Sequence, residues 1–311
     1  MKSIMLILAS AALVAGCNIS TLRTGTVRNS AEPAPIENTD EHLGDPTFSD
    51  EVVDADERAS ARRAVVGTEG GAEAPADTRS NYELGFELLE QGKKRQARAK
   101  LTHALDDGLT TIEEQKVLEA LDAINIEIFT SAAEEGDMKW YTIEPGDTLG
   151  KIAGKFGTNH EMLSRINGLK DHRIRAGAKL KVPKAAFSVV VRKQRFIMDL
   201  KLGGNFISRY VVGLGVDDST PLGTFTVSNR IPKPADGSWP YGHPKHRLGT
   251  RWIGLHSEAG HKGYGIHGCR PEEYSKLGGE CSQGCVRMTN DEVEELYDIL
   301  PVGTTVTIIE R

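Results

Sequence analysis

Near the C-terminus stand His267-Gly268-Cys269 and, after a gap, Ser282-Gln283-Gly284-Cys285-Val286-Arg287-Met288. A cysteine attacks a carbonyl as its thiolate, and at neutral pH it needs a base beside it to reach that state. His267 can be that base for Cys285 if the chain folds back between them. Ser282, three residues before the cysteine, can orient the imidazole by a hydrogen bond, and so can a backbone carbonyl near Gly268. Gly284 allows a tight turn and a close approach to a substrate carbonyl. The N–H groups of Gly284 and Cys285 can then meet an oxyanion. Together these residues would perform thiol-dependent acyl transfer. His243, His246, His256 and His261 are rivals by residue type, and a buried structural thiol is the bland reading of Cys285. A zinc site from His267, Cys269, Cys281 and Cys285 lacks a Cys-x-x-Cys knuckle and would consume both reactive groups. No metal and no cofactor is expected.

The same block is similar to the signature of the YkuD family of L,D-transpeptidases: a histidine, a gap, then Ser/Thr-x-Gly-Cys, an apolar residue and Arg or Asn. Further family-like segments precede it: Ser219-Thr220-Pro221-Leu222-Gly223-Thr224-Phe225, Leu248-Gly249-Thr250-Arg251-Trp252 and Gly263-Tyr264-Gly265-Ile266-His267-Gly268. Two positions depart from the pattern: Gln283, where some members have His, and Cys269, where Thr is usual. The resemblance covers residues 186–311 and implies a mostly-β catalytic domain acting on peptidoglycan. It makes Cys285 the nucleophile and His267 the base, with Ser282 and Gly284 assisting. Arg287, Tyr264 and Gly268 are expected at the substrate, although Arg287 reads equally well as a structural ion pair. The implied reaction forms a thioester with the third residue of a tetrapeptide stem, releases D-alanine and passes the acyl group to an amine. Water as acceptor would make the chain an L,D-carboxypeptidase. A non-catalytic peptidoglycan-anchoring lipoprotein is the competing class.

Cys269 and Cys281 flank the excursion between His267 and Cys285. In an oxidising compartment such a pair is expected to bridge. The bridge would stabilise the loop by about 3 kcal/mol in the chain-entropy model.

The elements that must position this chemistry occupy the rest of 311 residues, long enough for two or three modules. Hydrophobic residues at 39% suffice for ordinary cores; a net charge of −6 with no long basic run excludes nucleic acid as a natural partner. Residues 1–16 read as a signal peptide whose apolar run is too short to span a bilayer. Val14-Ala15-Gly16-Cys17 is similar to a lipoprotein lipobox, which implies lipidation at Cys17, a membrane anchor and a periplasmic, outer-membrane location in a Gram-negative-type envelope. Residues 17–79 are acidic and lack an apolar period. They are expected to be a disordered tether reaching roughly 40–50 Å.

Residues 80–135 turn helical. Gly92 and Gly108 punctuate two helices, and a third runs from Ile112 to Phe129. Leu84, Gly85, Leu88, Gly92, Ala97, Leu101 and Ala104 resemble one tetratricopeptide repeat, which implies either a protein-binding module or a helical spacer. Residues 139–184 resemble a LysM domain with two strands and two helices (βααβ), a family that binds the glycan of peptidoglycan. Carried over, Gly146, Asp147, Thr148, Leu149, Asn167 and Gly168 would touch the sugar; read locally, Asp147 and Thr148 are turn and cap residues. From Phe187 onward short Val/Ile/Phe/Thr runs predict strands at 187–191, 195–199, 206–212 and 225–227, with a hairpin at Gly203-Gly204-Asn205. A helix at 291–300 and a strand at 304–309 close the chain. The fold class is multidomain: an α-helical segment, a small α+β module and a mostly-β catalytic domain.

Overall fold

The computed structural model describes residues 79–130 and 137–311. The expected signal peptide, Cys17 and the tether through residue 78 lie outside the described residues, as do residues 131–136 of the expected helical region.

Three helices come first: α1 (Asn81–Glu90), α2 (Lys94–Asp107) and α3 (Thr111–Thr130). Ser80 starts α1 with a reciprocal cap: its hydroxyl accepts from the Glu83 N–H, and the Glu83 carboxylate accepts from the Ser80 N–H. Ala97, Leu101 and Leu105 of α2 pack against Val117, Leu121 and Ile124 of α3. Phe206, from a strand far along the chain, completes that cluster.

A small module follows: β1 (Met138–Thr142), α4 (Leu149–Lys155), α5 (His160–Ile166) and β2 (Lys179–Pro183). β1 and β2 pair antiparallel over Ile143, Leu149, Ile152, Leu163, Leu180 and Val182. Thr148 caps α4 and Asn159 caps α5, each side-chain oxygen accepting the N–H three residues on.

The rest of the chain forms β3 (Phe187–Arg192), β4 (Ile197–Leu202), β5 (Asn205–Val211), β6 (Leu214–Gly215), β7 (Gly223–Pro232), β8 (Arg251–His256), β9 (Tyr264–Gly268), β10 (Glu280–Ser282), β11 (Val286–Met288), α6 (Asn290–Ile299) and β12 (Thr305–Ile309). Eight strands make one sheet in the order β11-β9-β8-β7-β12-β3-β4-β5. The sheet curls until its ends nearly meet: Gly213, just past β5, exchanges two backbone hydrogen bonds with Arg287 of β11. β6 and β10 form a short parallel pair beside that seam. Strands β8 to β11 were absent from the sequence-based expectation, and β7 runs well past Val227. Beyond that point β7 carries Ser228, Asn229 and Arg230 and a register shift, so the two-residue alternation that marks a strand is lost.

The helices are seated on the large sheet and the small module on α6. The helices cover edge strand β5. Thr102 accepts the Phe206 N–H at 3.1 Å, and Asn125 donates to the carbonyls of Phe206 and Ile207 at 3.0 and 3.2 Å. Arg98 donates to the Phe206 carbonyl at 3.2 Å. Side chains thus occupy backbone groups that would otherwise invite another strand. The small module touches α6: Arg165 lies 3.1 Å from Asp298, and Met138 and Met162 are buried in the same core as Leu296 and Ile299.

Candidate active site

β9 and β11 run parallel, with Ile266 opposite Val286 and His267 opposite Arg287. Side chains alternate between faces, so Ile266 and Val286 point into the core. His267 therefore stands on the opposite face, and Cys285, immediately before β11, is its diagonal neighbour there. A parallel pair needs a crossover. Here it is the 3-10 turn at Pro271–Lys276 followed by β10.

His267 is 2% exposed. Its Nδ1 lies 2.5 Å from the Gly268 carbonyl oxygen. A carbonyl can only accept, so Nδ1 carries the hydrogen and Nε2 keeps its lone pair. Trp252, opposite His267 on β8, stacks on the ring with centroids 5.7 Å apart. Burial pushes the imidazole down to a pKa of about 4, with the bond to Gly268 opposing and the Arg287 charge adding to the fall. The ring is neutral at pH 7, as a proton acceptor must be.

Cys285 is half-buried, its thiol donating to the Gly263 carbonyl at 3.7 Å. Burial also raises the thiol pKa, opposed by a Gly265 backbone hydrogen bond and by Arg287. Both shifts favour the neutral forms, an imidazole and a thiol. The turn holding the thiol is drawn in by Ser282, whose hydroxyl accepts the Gly284 N–H at 3.0 Å and donates to the Cys285 carbonyl at 2.6 Å. Ser282 is thereby spent on the turn, and the Gly268 carbonyl orients His267. Gly284 adopts φ +122°, where any side chain is strained, and a Cβ there would lie 2.7 Å from the Tyr264 ring. Tyr264 walls the turn itself.

Arg287 makes the contacts of its structural reading. It donates to the Cys281 carbonyl at 2.7 Å and faces Glu273 at 3.6 Å. The Gly268 carbonyl orients His267, one of the two alternatives read from the sequence. Cys269 and Cys281 are free thiols, not a disulfide. Cys269 is fully buried and donates to the Met288 carbonyl at 3.3 Å, while Cys281 lies against Gly213 at the sheet seam. Of the rival histidines, His243 stacks on Trp239, His246 bonds Pro234 and His256 faces Glu258, while His261 packs by Phe225 and by Tyr264, the ring beside the Cys285 turn.

In the small module most expected sugar contacts serve the fold. Asp147 accepts from the Glu144 N–H and the Tyr141 hydroxyl, which lowers its pKa. Thr148 is a helix cap and Leu149 is buried core. Asn167 bonds the backbone of Leu163 and Lys181. Gly146 and Gly168, both at positive φ, leave exposed or half-exposed backbone at the two loops.

Sequence reasoning missed Trp252 as the ring against His267, Glu273 as the partner of Arg287, and Thr220, which bonds the Gly284 carbonyl. Trp252 and Thr220 lie in segments already singled out, but nothing local signals whom their side chains meet.

Residues 186–308 match the model of the L,D-transpeptidase catalytic domain (YkuD), and residues 141–183 match the LysM domain. YkuD of Bacillus licheniformis is 31% identical over 179 residues, 55% of this chain and 99% of that protein. YqjB of Bacillus subtilis is 39% identical over 127 residues, 39% of this chain and 70% of that protein. Both bear the L,D-transpeptidase name. An L,D-transpeptidase structure from Mycobacterium smegmatis aligns with a TM-score of 0.34 at 19% identity, covering 43% of this chain and 63% of that one.

Proposed function

The chain belongs to the YkuD family of L,D-transpeptidases, and from that premise we propose that it is a peptidoglycan acyltransferase with Cys285 as nucleophile and His267 as base. His267 Nε2 takes the thiol proton as Sγ attacks the carbonyl of the third residue of a tetrapeptide stem. The tetrahedral oxyanion is met by the Cys285 N–H. Collapse breaks the peptide bond, D-alanine leaves with the proton from His267, and a thioester remains on Cys285. An amine then attacks the thioester, giving a cross-link if it comes from another stem or an attached protein if it comes from a lysine. Ser282 and Gly284 shape the turn, and Tyr264 bounds it.

The LysM domain would hold the glycan through the loops at Gly146 and Gly168. Lipidation at Cys17 would tether the enzyme in the cell envelope, and residues 17–79 would span the gap to the wall. The observation that carries the catalytic reading is the buried, neutral His267, its Nδ1 hydrogen committed to Gly268, on the same sheet face as the Cys285 thiol.

The test is incubation of the full chain with purified disaccharide-tetrapeptide, read by liquid chromatography and mass spectrometry beside Cys285→Ala. A dimer lacking one D-alanine, formed only with Cys285 present, is the expected product. Tripeptide alone would make the chain an L,D-carboxypeptidase. Glycan binding with no change in the peptide would leave an anchoring protein.

A further inference from the structure

Consecutive peptide planes at Gly284 and Cys285 form the turn that carries the thiol. Ser282 holds the outer two through the Gly284 N–H and the Cys285 carbonyl, bonds that span only two and three residues. The middle plane, Gly284 C=O to Cys285 N–H, is held from far away in sequence. Thr220, 64 residues upstream of Gly284, donates its hydroxyl to the Gly284 carbonyl at 3.0 Å. The Thr220 hydroxyl oxygen in turn accepts the Gly215 N–H at 2.8 Å. Thr220 is 1% exposed, and its single donor hydrogen goes to Gly284.

The contact is built for backbone alone. A Cβ on Gly215 would lie 2.8 Å from Gly284 Cα and 2.2 Å from the Ser219 hydroxyl. A Cβ on Gly284 would lie 2.9 Å from the Ser219 carbonyl. The two glycines let the β6 segment and the Cys285 turn touch, and Thr220 locks them. In a trans peptide the C=O and N–H point in opposite directions. Fixing the Gly284 oxygen against buried Thr220 therefore turns the Cys285 N–H the other way, out of the interior. Among the described residues no hydrogen bond uses that N–H.

We propose that Thr220 is a positioning residue for acyl transfer: by holding the Gly284 carbonyl it aims the Cys285 N–H at the oxyanion formed when the thiolate attacks. It touches neither substrate nor thiol. The inference rests on the thioester reading given above and adds the residue that sets the oxyanion geometry. In the step concerned, Sγ bonds to the acyl carbon and the carbonyl π pair moves onto oxygen, where the Cys285 N–H meets it. On collapse the pair re-forms C=O, the C–N bond breaks, and nitrogen takes the proton that His267 removed from the thiol.

Two reactions at one thiol separate this role from a structural one. Iodoacetamide alkylates sulfur by displacement at saturated carbon, with iodide leaving and no oxyanion formed. A carbapenem acylates through a tetrahedral oxyanion: sulfur adds to the lactam carbonyl, the ring C–N bond opens, and nitrogen is protonated. The full chain as wild type, Thr220→Val and Thr220→Ser is treated with each reagent, and modification of the Cys285 peptide is timed by mass spectrometry. Thr220→Ala carries the test if the valine variant does not fold. We expect the variant without the hydroxyl to alkylate at the wild-type rate and to acylate about 10- to 100-fold more slowly, since losing an oxyanion donor outright costs about 100- to 1,000-fold. Thr220→Ser should restore acylation. Equal acylation in wild type and variant would overturn the proposal, and so would an equal loss in both reactions. If wild-type Cys285 alkylates but never acylates, the thioester reading fails first and the role of Thr220 falls with it.

Discussion

At the scale of single residues, burial favours the neutral forms of the two groups proposed to react. His267 is held to a pKa of about 4 and the Cys285 thiol is pushed up. Such a pair makes its thiolate only as the base accepts the proton during attack. The sign of the pH dependence follows. Above about pH 4 His267 is unprotonated and able to act; below it the base is progressively occupied and the rate falls. Acylation of Cys285 by a carbapenem, followed from pH 3.5 to 8, should therefore stay level through the range in which an ordinary histidine titrates and drop only near the acid end. A midpoint near 6.5, the unperturbed value, would mean that the imidazole is hydrated in the free enzyme.

Elements decide how these residues meet. His267 and Cys285 come onto one sheet face because β9 and β11 are parallel neighbours, and the crossover between them carries Cys269 to the Met288 carbonyl and Cys281 to Gly213. At the far edge of the sheet, α2 and α3 lie on β5. Asn125 is fully buried, and its amide is shared by the Phe206 and Ile207 carbonyls. Removing it deprives the Ile207 carbonyl of this donor, while Phe206 keeps Arg98, at a cost of about 1–3 kcal/mol. We expect Asn125→Ala to lower the unfolding free energy by that amount, read as a lower urea midpoint with little change in slope. An unchanged midpoint would mean that the helices are not held to β5 through this residue. The inner face of the helical region is occupied by its own chain: Phe206 of β5 sits among Leu101, Val117 and Leu121. A protein partner, if there is one, must use another face.

At the scale of the whole molecule, the glycan-binding family module is fixed to the catalytic domain. Met138 and Met162 enter the catalytic core, and Arg165 and Arg230 face Asp298 and Glu161. A LysM domain on a loose linker would unfold separately; one that shares a core should not. Trp140 lies in the module, whereas Trp239 and Trp252 lie in the catalytic domain. In a chain carrying Trp239→Phe and Trp252→Phe, the Trp140 fluorescence transition on heating should coincide with loss of far-UV circular dichroism. An earlier Trp140 transition would show that the module melts by itself.

Much of this was legible before folding. The helices of 81–130, the βααβ module and the hairpin at Gly203-Gly204 rest on contacts a few residues long, which spacing and capping residues report directly. Cys285 and His267 were singled out by residue type and order, and those carry the proposed reaction. The unseen part is what sheet register brings together across long stretches of chain: Thr220 on Gly284, Trp252 on His267, Arg287 on Glu273, Asn125 on Phe206. Ser282 shows the divide within one residue. Its type and position implied a hydrogen bond near the Cys285 thiol, but the fold decided that it bonds its own turn while the Gly268 carbonyl bonds the imidazole. Local chemistry selects the actors; the long-range pairing of strands, driven by burial of the core, selects their partners.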